Sequence, residues 1–232
     1  MKLSIVIPCY NEEKNIPLIL QRFNEVLKRD DIEVILVNNG STDNSDAVLD
    51  EMLPKYQFLK VVKVEKNQGY GYGILQGLNV AKGEYIGWTH ADMQTDPADV
   101  IKALEIIEKT KETKVFAKGN RKGRSLFDNF FTFGMSCFET FLLGKLLWDI
   151  NAQPNIFSRS LYENWKNPPF DFSLDLFAFY EAKKMRSKIM RFPVVFPERI
   201  HGMSHWNTGN IAKLKFIKRT LDYSFKVKRE LR

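Results

Sequence analysis

Short apolar runs alternate with amphipathic segments along the first half of the chain, and this alternation limits the folds open to it. The runs are rich in β-branched residues, as strands buried on both faces are. They comprise residues 3–9, 33–39, 59–64, 84–89 and 115–119. The segments between them show helical spacing of apolar residues or helix-capping side chains, and Pro97 begins the one after the fourth run. Short connections between the two kinds of segment predict an α/β fold with a mostly parallel, Rossmann-like sheet flanked by helices.

The second half of the chain loses this alternation. It contains an aromatic helix candidate at 126–148, a helix candidate at 173–185, an apolar strand at 188–196 and a basic C-terminal segment. No repeat or low-complexity linker separates the halves. We therefore expect one domain, with a core at 1–120 and an appended, largely helical region at 121–232.

Charge and composition exclude several classes of protein. The net charge is +7, yet residues 211–232 carry eight Lys and Arg against two acidic residues, a net +6, so the rest of the chain is close to neutral. A basic tail on a neutral body indicates a local surface contact and argues against a nucleic-acid partner. No run reaches the roughly 20 apolar residues of a membrane span, and the first residues lack the features of a signal peptide, so we expect a cytoplasmic location. Cys9 and Cys137 lack metal-ligand spacing and offer no disulfide scaffold.

Polar residues and glycines follow the predicted strands, where a parallel sheet binds its ligands. They are Pro8, Tyr10 and Glu12 after the first strand, Asn38, Asn39 and Gly40 after the second, Asn67 and Gly69 after the third, and His90, Ala91 and Asp92 after the fourth. This convergence predicts a site for a nucleotide-sized ligand. The P-loop pattern and the dinucleotide fingerprint are both missing from these turns, so a diphosphate needs another source of positive charge. A divalent cation held by Asp92 and Gln94 would supply it.

The same segments, taken in order, carry a family resemblance. Residues 4–16 (SIVIPCYNEEKNI), 37–45 (VNNGSTDNS), 67–78 (NQGYGYGILQGL) and 90–97 (HADMQTDP) resemble the inverting glycosyltransferases of family 2, which have the GT-A fold. The branch that they resemble is that of the polyprenyl-phosphate hexose synthases, of the dolichyl-phosphate mannose synthase type. The resemblance covers roughly residues 3–120.

For the donor, the resemblance implies a nucleotide-sugar of the UDP or GDP type and a divalent cation, Mn²⁺ or Mg²⁺. Asp92 matches the last aspartate of the family's Asp-x-Asp motif, and Gln94 matches a glutamine of the lipid-phosphate branch. His90 replaces the first aspartate, and a neutral imidazole is able to ligate Mn²⁺ or to bond the ribose.

The resemblance places nucleotide recognition in the other strand-end motifs. The residues implied are Pro8, Tyr10, Glu12, Asn38, Asn39, Asn67, Gly69, His90 and Ala91. Asn38 and Asn39 stand where relatives carry two aspartates. Because an amide both donates and accepts hydrogen bonds, these residues do not decide between a uridine and a guanosine carrier.

For the acceptor, the resemblance implies a polyprenyl phosphate or another lipid-linked group. Arg121, in 119-GNR-121, matches an arginine that contacts phosphate in the lipid-phosphate branch, and Arg124 follows it. Residues 199–206 (RIHGMSHW) resemble an element that closes over phosphate, with Arg199, Ser204 and His205 as its working groups.

Two interpretations of Asp175 stay open. An ionised lipid phosphate needs no base, whereas a sugar hydroxyl needs a carboxylate to take its proton, and Asp175 lies where relatives often carry an acid facing the acceptor. A carboxylate in the first turn of a helix that stabilises the helix dipole is an equally good explanation.

The aromatic helix candidate and the basic tail together predict attachment to a membrane surface. Residues 126–148 hold six of the 18 phenylalanines, too many for the surface helix of a soluble protein. In the tail, an apolar stripe is flanked by lysines that would favour anionic lipid. We expect a peripheral protein on the cytoplasmic face of a membrane; packing in a core or in a homo-oligomer is the alternative for the aromatic helix.

The leading hypothesis is thus a metal-dependent inverting hexosyltransferase that acts in cell-surface polysaccharide synthesis. Two alternatives remain: transfer to a sugar hydroxyl with Asp175 as the base, and a non-catalytic nucleotide-sugar binder, to which His90 and the Asn38–Asn39 pair point.

Overall fold

The computed structural model describes residues 1–123, 126–197 and 210–230, which form one sheet with helices on both faces. The strands are β1 (Leu3–Cys9), β2 (Ile32–Asn39), β3 (Leu59–Val64), β4 (Tyr85–Trp88), β5 (Val115–Lys122), β6 (Asn155–Ser158) and β7 (Lys188–Val195). The helices are α1 (Asn15–Val26), α2 (Ser45–Met52), α3 (Tyr70–Val80), α4 (Pro97–Glu108), α5 (Leu126–Leu143), α6 (Arg159–Tyr162), α7 (Leu174–Lys184) and α8 (Asn210–Glu230). A 3-10 turn at Leu53–Lys55 follows α2.

The sheet has the strand order β3-β2-β1-β4-β6-β5-β7. All neighbouring pairs are parallel except those of β6, which runs antiparallel to both β4 and β5. The predicted α/β fold with a mostly parallel sheet is confirmed. The sequence did not predict β6, because four residues are too few to show a period. β5 continues past the predicted end at Gly119, since its pairing with β7 runs on to Lys122 opposite Val195.

Two apolar layers explain why the central strands lack alternation of polar and apolar residues. In β1, Ile5 and Ile7 face the layer of α1 and α4, whereas Val6 faces that of α3 and α7. Phe23 of α1 and Ile74 of α3 are fully buried in the two layers. Both faces of each central strand therefore need apolar side chains, as in other sheets covered on both sides.

Glycines let α3 approach the sheet closely. A Cβ on Gly77 would lie 2.4 Å from Val6 Cγ1, and one on Gly73 would lie 2.9 Å from Asn39 Cγ. Gly73 and Gly77 thus belong to helix–sheet packing, whereas Gly69 and Gly71 lie against the backbone of residues 169–171.

The aromatic helix is shorter than predicted and packs against the basic tail. α5 ends at Leu143 because Gly144 adopts a left-handed conformation (φ 65°). The N–H of Gly144 donates to the Thr140 carbonyl and closes the last turn. Phe138 of α5 meets Phe225 of α8 edge to face at a centroid distance of 6.0 Å. Within the described ranges, neither helix nor any other is long and apolar enough to cross a membrane.

Candidate functional site

The loops that follow β1 and β2 are joined by crossed hydrogen bonds at the carboxyl edge of the sheet. The backbone N–H of Asn11 donates to Ser41 Oγ (3.1 Å), and Thr42 N–H donates back to Asn11 Oδ1 (2.8 Å). The N–H of Glu12 donates to Ser45 Oγ (3.0 Å). We call residues 10–13 and 41–45 the loop pair. These bonds fix the predicted nucleotide-binding loops relative to each other.

Asn38 and Asn39 are buried at the end of β2, each bonded to a neighbouring loop. Asn38 Nδ2 donates to Asp46 Oδ1 (3.0 Å), and Asn39 Nδ2 donates to the carbonyl of Gly69 (2.9 Å). Asn39 Oδ1 is buried and accepts no hydrogen bond from the described residues. A buried acceptor without a donor calls for an explanation, and an N–H group of a bound base would satisfy it.

A close approach of two loops needs glycine at position 40. Gly40 has a φ of 69°, and a Cβ there would lie 2.5 Å from the backbone nitrogen of Asn67. Asn67 in turn accepts the N–H of Gly69 at Oδ1 (2.8 Å). The loops after β2 and β3 therefore meet, as predicted from the strand ends.

The loop after β4 is tight and braced at both ends. Thr89 and Thr95 share a hydrogen bond between their hydroxyls (2.8 Å), which closes the loop at its base. Within it, Asp92 Oδ1 accepts the Gln94 N–H (3.1 Å), and Asp92 is only 6% exposed. Gln94 Nε2 donates to the carbonyl of Pro197, just beyond β7 (3.0 Å). The predicted metal–diphosphate motif is thus held rigidly at the sheet edge.

His90 belongs to an aromatic stack that sequence reasoning missed. Its ring lies 5.8 Å from that of Tyr70 at an interplanar angle of 26°, and Tyr70 stacks on Phe172 at 4.8 Å. Burial raises the pKa of Tyr70 well above its usual value, and the nearby charges of Asp175 and Asp92 add to the effect. Tyr70 therefore stays protonated near the two carboxylates. The tyrosines of the 67–78 motif were the one sequence signal for this stack.

Asp175 lies in the first turn of α7, as predicted, and it belongs to a buried hydrogen-bond network. The residue is 4% exposed. Its Oδ1 accepts hydrogen bonds from Trp88 Nε1 (3.2 Å), Gln153 Nε2 (2.8 Å) and Asn155 Nδ2 (2.8 Å). Three donors from two different parts of the chain thus fix the position of one carboxylate oxygen.

Lys118 lies on the other side of this network and is fully buried. Its Nζ donates to the carbonyl of Ala152 (2.7 Å) and to Asn155 Oδ1 (2.6 Å). Burial lowers the pKa of Lys118 to about 7, although the charge of Asp175 works in the opposite direction. Asn155 thus joins a cation and an anion that both lie under the sheet edge.

Arg121 at the end of β5 is paired with Asp149. Its backbone N–H donates to Asp149 Oδ2 (2.9 Å), its Nε donates to Oδ1 (2.8 Å), and Nη2 also bonds Oδ1. A cavity of about 250 Å³ opens beside this pair. Its lining is mostly polar and consists of Asn120, Arg121, Lys122, Gly123, Asn129, Thr132, Trp148 and Asp149.

Four of the predicted acceptor residues cannot be placed. Arg124, Arg199, Ser204 and His205 lie outside the described residues. Pro8, Tyr10, Glu12 and Ala91 lie at the ends of β1 and β4 as predicted, with Tyr10 45% exposed and Ala91 buried.

The loop after β4 fits a partial metal shell. In the described ranges, no three His, Cys, Asp or Glu side chains come together. His90, Asp92 and Gln94 nevertheless offer an imidazole, a carboxylate and an amide within five residues. Ions that bind nucleotide diphosphates take only one or two carboxylates from the protein and the rest from phosphate and water, so the chemistry of these side chains is compatible with such an ion. The mixture of nitrogen and oxygen suits Mn²⁺ better than Mg²⁺.

Residues 4–164 match the family model of Glycosyl transferase family 2, which covers more than half of the chain and all four sequence motifs. The chain belongs to this family. The predicted family is confirmed, and the sheet-edge site coincides with the matched region.

Curated relatives match a little over half of the chain. An uncharacterized glycosyltransferase of Bacillus subtilis (strain 168) is 37% identical over 132 residues, 55% of this chain and 40% of the relative. An undecaprenyl-phosphate 4-deoxy-4-formamido-L-arabinose transferase of Pseudomonas fluorescens is 33% identical over 128 residues, 53% of this chain and 37% of the relative. A dolichol-phosphate mannosyltransferase of Pyrococcus furiosus is 27% identical over 124 residues, 53% of this chain and 35% of the relative. The matched part of the chain thus spans about two fifths of the relatives' length.

Solved structures of nucleotide-sugar enzymes share the fold. Glucosyl-3-phosphoglycerate synthase from Mycobacterium tuberculosis, in complex with Mn²⁺, UDP and glucosyl-3-phosphoglycerate, superposes with a TM-score of 0.73 at 16% identity, covering 98% of this chain and 79% of that one. A mannosyltransferase from Pyrobaculum calidifontis, in complex with GDP-Man and Mn²⁺, gives a TM-score of 0.70 at 18% identity, covering 97% of this chain and 63% of that one. At these identities the likeness establishes the GT-A fold alone.

Proposed function

We propose that the chain is the catalytic part of a metal-dependent inverting hexosyltransferase. It would move a hexose from a nucleotide-sugar to a polyprenyl phosphate or another lipid-linked acceptor, in cell-surface glycan synthesis. The observation that carries this proposal is the braced loop of His90, Asp92 and Gln94, which follows the strand next to β1 and so lies at the same carboxyl edge of a family 2 sheet as the loop pair. The names of the relatives support the acceptor class.

On the donor side, the strand-end loops would bind the nucleotide and the β4 loop its diphosphate. Asn39 offers a buried acceptor for an N–H of the base, and the exposed ring of Tyr10 offers a face for stacking. Asp92 and Gln94, with His90, would hold a divalent cation that stabilises the negative charge of the leaving diphosphate. The neighbours bound to UDP with Mn²⁺ and to GDP-Man with Mn²⁺ support both donor types.

The reaction is an in-line displacement at the anomeric carbon. An oxygen of the acceptor forms the new bond to that carbon from the face opposite the diphosphate. The bond between the carbon and the diphosphate oxygen breaks, and its electron pair leaves with the nucleoside diphosphate. The chain's task is to hold the two substrates in line and to keep water out.

The surroundings of Asp175 and Arg121 favour a phosphate acceptor over a hydroxyl. Asp175 is buried, and three donors hold one of its oxygens, an arrangement that suits a positioning carboxylate better than a base. Arg121 and Lys122 line a cavity with the volume to admit a phosphate group. A phosphate is already ionised and needs no base.

Exposed apolar side chains near this cavity support contact with a membrane surface. Five of them lie on α5 or just after it: Phe130, Phe133, Phe141, Leu146 and Trp148. We call them the α5 patch. Trp148 also lines the cavity and meets Phe133 edge to face at 5.9 Å. If the α5 patch lies on the cytoplasmic face of a membrane, the phosphate of a lipid-linked acceptor in that membrane would reach the cavity.

A transfer assay tests the proposal. UDP- and GDP-hexoses are offered with undecaprenyl or dolichyl phosphate in detergent, with Mn²⁺, Mg²⁺ or EDTA. We expect metal-dependent formation of a lipid-phosphate hexose of inverted anomeric configuration. Tight donor binding without transfer to either lipid would favour the non-catalytic binder, and transfer to sugar hydroxyls alone would favour the alternative with Asp175 as the base.

A further inference from the structure

Arg121 lines the acceptor-side cavity, and two further buried or half-buried cations lie within electrostatic reach of that arginine. Lys118, Arg121 and Arg191 lie within one charge cluster with the carboxylates of Asp149 and Asp175. Burial alone would raise the pKa of Asp149, but the charge and hydrogen bonds of Arg121 lower it below its usual value. Arg121 and Arg191 both lie against the single carboxylate of Asp149, and this excess of one positive charge favours an anionic ligand.

Arg191, on β7, makes fewer bonds than its burial demands. Its Nη1 donates to the carbonyl of Trp148 (2.6 Å), while Nε and Nη2 are buried and have no hydrogen-bond partner among the described residues. Nη2 lies 3.7 Å from Asp149 Oδ2, close enough for attraction but too far for a hydrogen bond. Unpaired buried donors of this kind are costly, so their presence calls for an explanation.

The same aspartate holds Arg121, the arginine that lines the cavity. Asp149 takes its bonds from the Arg121 side chain through Oδ1, while Oδ2 faces the Arg121 backbone N–H and Arg191. A phosphate entering the cavity competes with Asp149 for the Arg121 guanidinium. If Arg121 turned to the phosphate, Asp149 would be left as a buried charge without its partner, which is strongly unfavourable.

We propose that Arg191 is the second counter-ion of Asp149, which takes over this carboxylate when Arg121 turns to a phosphate monoester in the cavity. Arg191 is thus a positioning residue for anion binding, and its unpaired Nε and Nη2 are the donors kept for that state. The identity of the phosphate monoester as the acceptor rests on the function proposed above. The exchange of partners itself does not, because it follows from the two arginines and one carboxylate.

The first test observes the exchange in the wild-type protein. Side-chain N–H signals of Arg121 and Arg191 are followed by NMR during titration with inorganic phosphate and, separately, with geranyl phosphate, and are assigned with Arg121→Lys and Arg191→Lys. We expect both arginines to shift together with one saturation curve. A shift of Arg121 alone, or of neither arginine, overturns the proposal. Equal affinity for both ligands indicates a site for the phosphate alone, whereas tighter binding of geranyl phosphate indicates a lipid-linked one.

The second test uses variants and the same titration. Arg191→Met should weaken phosphate binding at least tenfold, because Asp149 can then no longer release Arg121. Adding Asp149→Asn should restore the affinity to within threefold of wild type, since an amide needs no counter-ion. The matched control is Lys188→Met, an exposed cation on the same strand, which should bind phosphate like wild type. Arg191→Met binding within twofold of wild type, or no rescue by Asp149→Asn, contradicts the proposal.

A folding defect in Arg191→Met would not end the test. Arg191→Lys keeps the positive charge beside Asp149, so its phosphate affinity should remain within threefold of wild type. A tenfold loss in the lysine variant would show that the guanidinium serves packing alone and would overturn the proposal.

Activity separates this inference from the proposed function. In an active enzyme, Arg191→Met should raise the acceptor KM at least tenfold, with the donor KM unchanged within twofold and kcat within threefold. Joint movement of both arginines in a protein that transfers no sugar would uphold the inference and refute the proposed function. Transfer to polyprenyl phosphate with no NMR shift of Arg191 would uphold the proposed function and refute the inference.

Discussion

Asp92 is the residue on which the proposed donor site depends, because it is the one carboxylate in the braced loop after β4. The imidazole of His90, in place of a second carboxylate, leaves the loop with one negative charge fewer. A cation there depends on Asp92 more than it would in a two-aspartate motif.

Asp92→Ala should therefore abolish transfer while the fold persists. We expect kcat to fall at least a hundredfold, about 2.7 kcal/mol of transition-state stabilisation, because the leaving diphosphate loses its cation. Initial rates at saturating donor and a thermal melt check both parts. Asp99→Ala, on the following helix α4, is the matched control. Activity near wild type in excess Mn²⁺ would refute the metal site.

Asp175 distinguishes the two acceptor chemistries. Asp175→Asn keeps an oxygen for Trp88, Gln153 and Asn155, so transfer to a lipid phosphate should stay within tenfold of wild type. If Asp175 were a base, the loss would be about 10²- to 10⁴-fold. Asp175→Ala leaves three buried donors unpaired and should lower the free energy of unfolding by about 3–5 kcal/mol. Rates and urea denaturation of both variants give the answer.

At the scale of elements, α5 and α8 are joined through a buried carboxyl. Glu139 of α5 is 1% exposed and bonds the hydroxyl of Ser224 of α8. Burial raises the pKa of Glu139 from 4.5 to about 7, although the Ser224 hydrogen bond opposes this. The folded state thus binds this proton more tightly than the unfolded chain does.

The stability of the α5–α8 contact should consequently fall as pH rises. The favourable contribution is complete below the unfolded pKa near 4.5 and is lost between there and pH 7. The free energy of unfolding should drop by up to about 3 kcal/mol over this window, at 1.36 kcal/mol for each tenfold change in proton affinity. Urea denaturation at pH 5 and pH 8 measures it. Glu139→Gln should remove this part of the decline, whereas Glu105→Gln, exposed on α4, should keep it; equal slopes in both variants would contradict the prediction.

Two glycines in helices should respond oppositely to alanine. Gly77→Ala places its Cβ 2.4 Å from Val6 Cγ1 and should cost about 1–3 kcal/mol through overpacking. Gly134, on α5, has no atom of the described residues within 4 Å of such a Cβ, so Gly134→Ala should gain up to about 1 kcal/mol from helix propensity. Urea midpoints of the two variants, compared with wild type, test the pair. Destabilisation by Gly134→Ala would show that α5 carries a contact on that face.

The sequence predicted those elements whose signal is local. The run 3–9 is apolar throughout because both faces of β1 are covered, and Pro97 begins α4 as expected. β6 was missed because its four residues are paired on both sides by distant strands.

In the site, the strand-end residues were predictable, whereas their partners were not. Trp88 and Asp175 bond across 87 positions, and Arg121 and Asp149 across 28. No local period marks such pairs. The same holds for the stack of Tyr70 on Phe172.

The whole molecule places its cationic cavity and its exposed apolar side chains close together. Trp148 belongs to both, since it lines the cavity and is part of the α5 patch. Exposed apolar side chains that lie close together on a surface are typical of interaction sites.

Removing the α5 patch should abolish binding to vesicles. Phe130, Phe141 and Leu146 are 76%, 92% and 72% exposed, and each would contribute about 2 kcal/mol on burial in lipid. The triple change of these residues to serine should reduce partitioning into phosphatidylglycerol-containing vesicles at least a hundredfold in a flotation assay. Leu53→Ser with Val80→Ser, exposed apolar residues elsewhere, is the control. Unchanged flotation of the triple variant would show that the patch does not meet lipid.

The crossed hydrogen bonds of the loop pair have a consequence for protein engineering. The side chains of Asn11, Ser41 and Ser45 each accept a backbone N–H from the opposite loop, so none of the three can be replaced singly without losing a bond across the two loops. To change the base preference, residues 10–13 and residues 41–45 should therefore be exchanged together with the corresponding loops of a relative. Grafting either half alone should yield a protein whose amides in both loops exchange faster with deuterium.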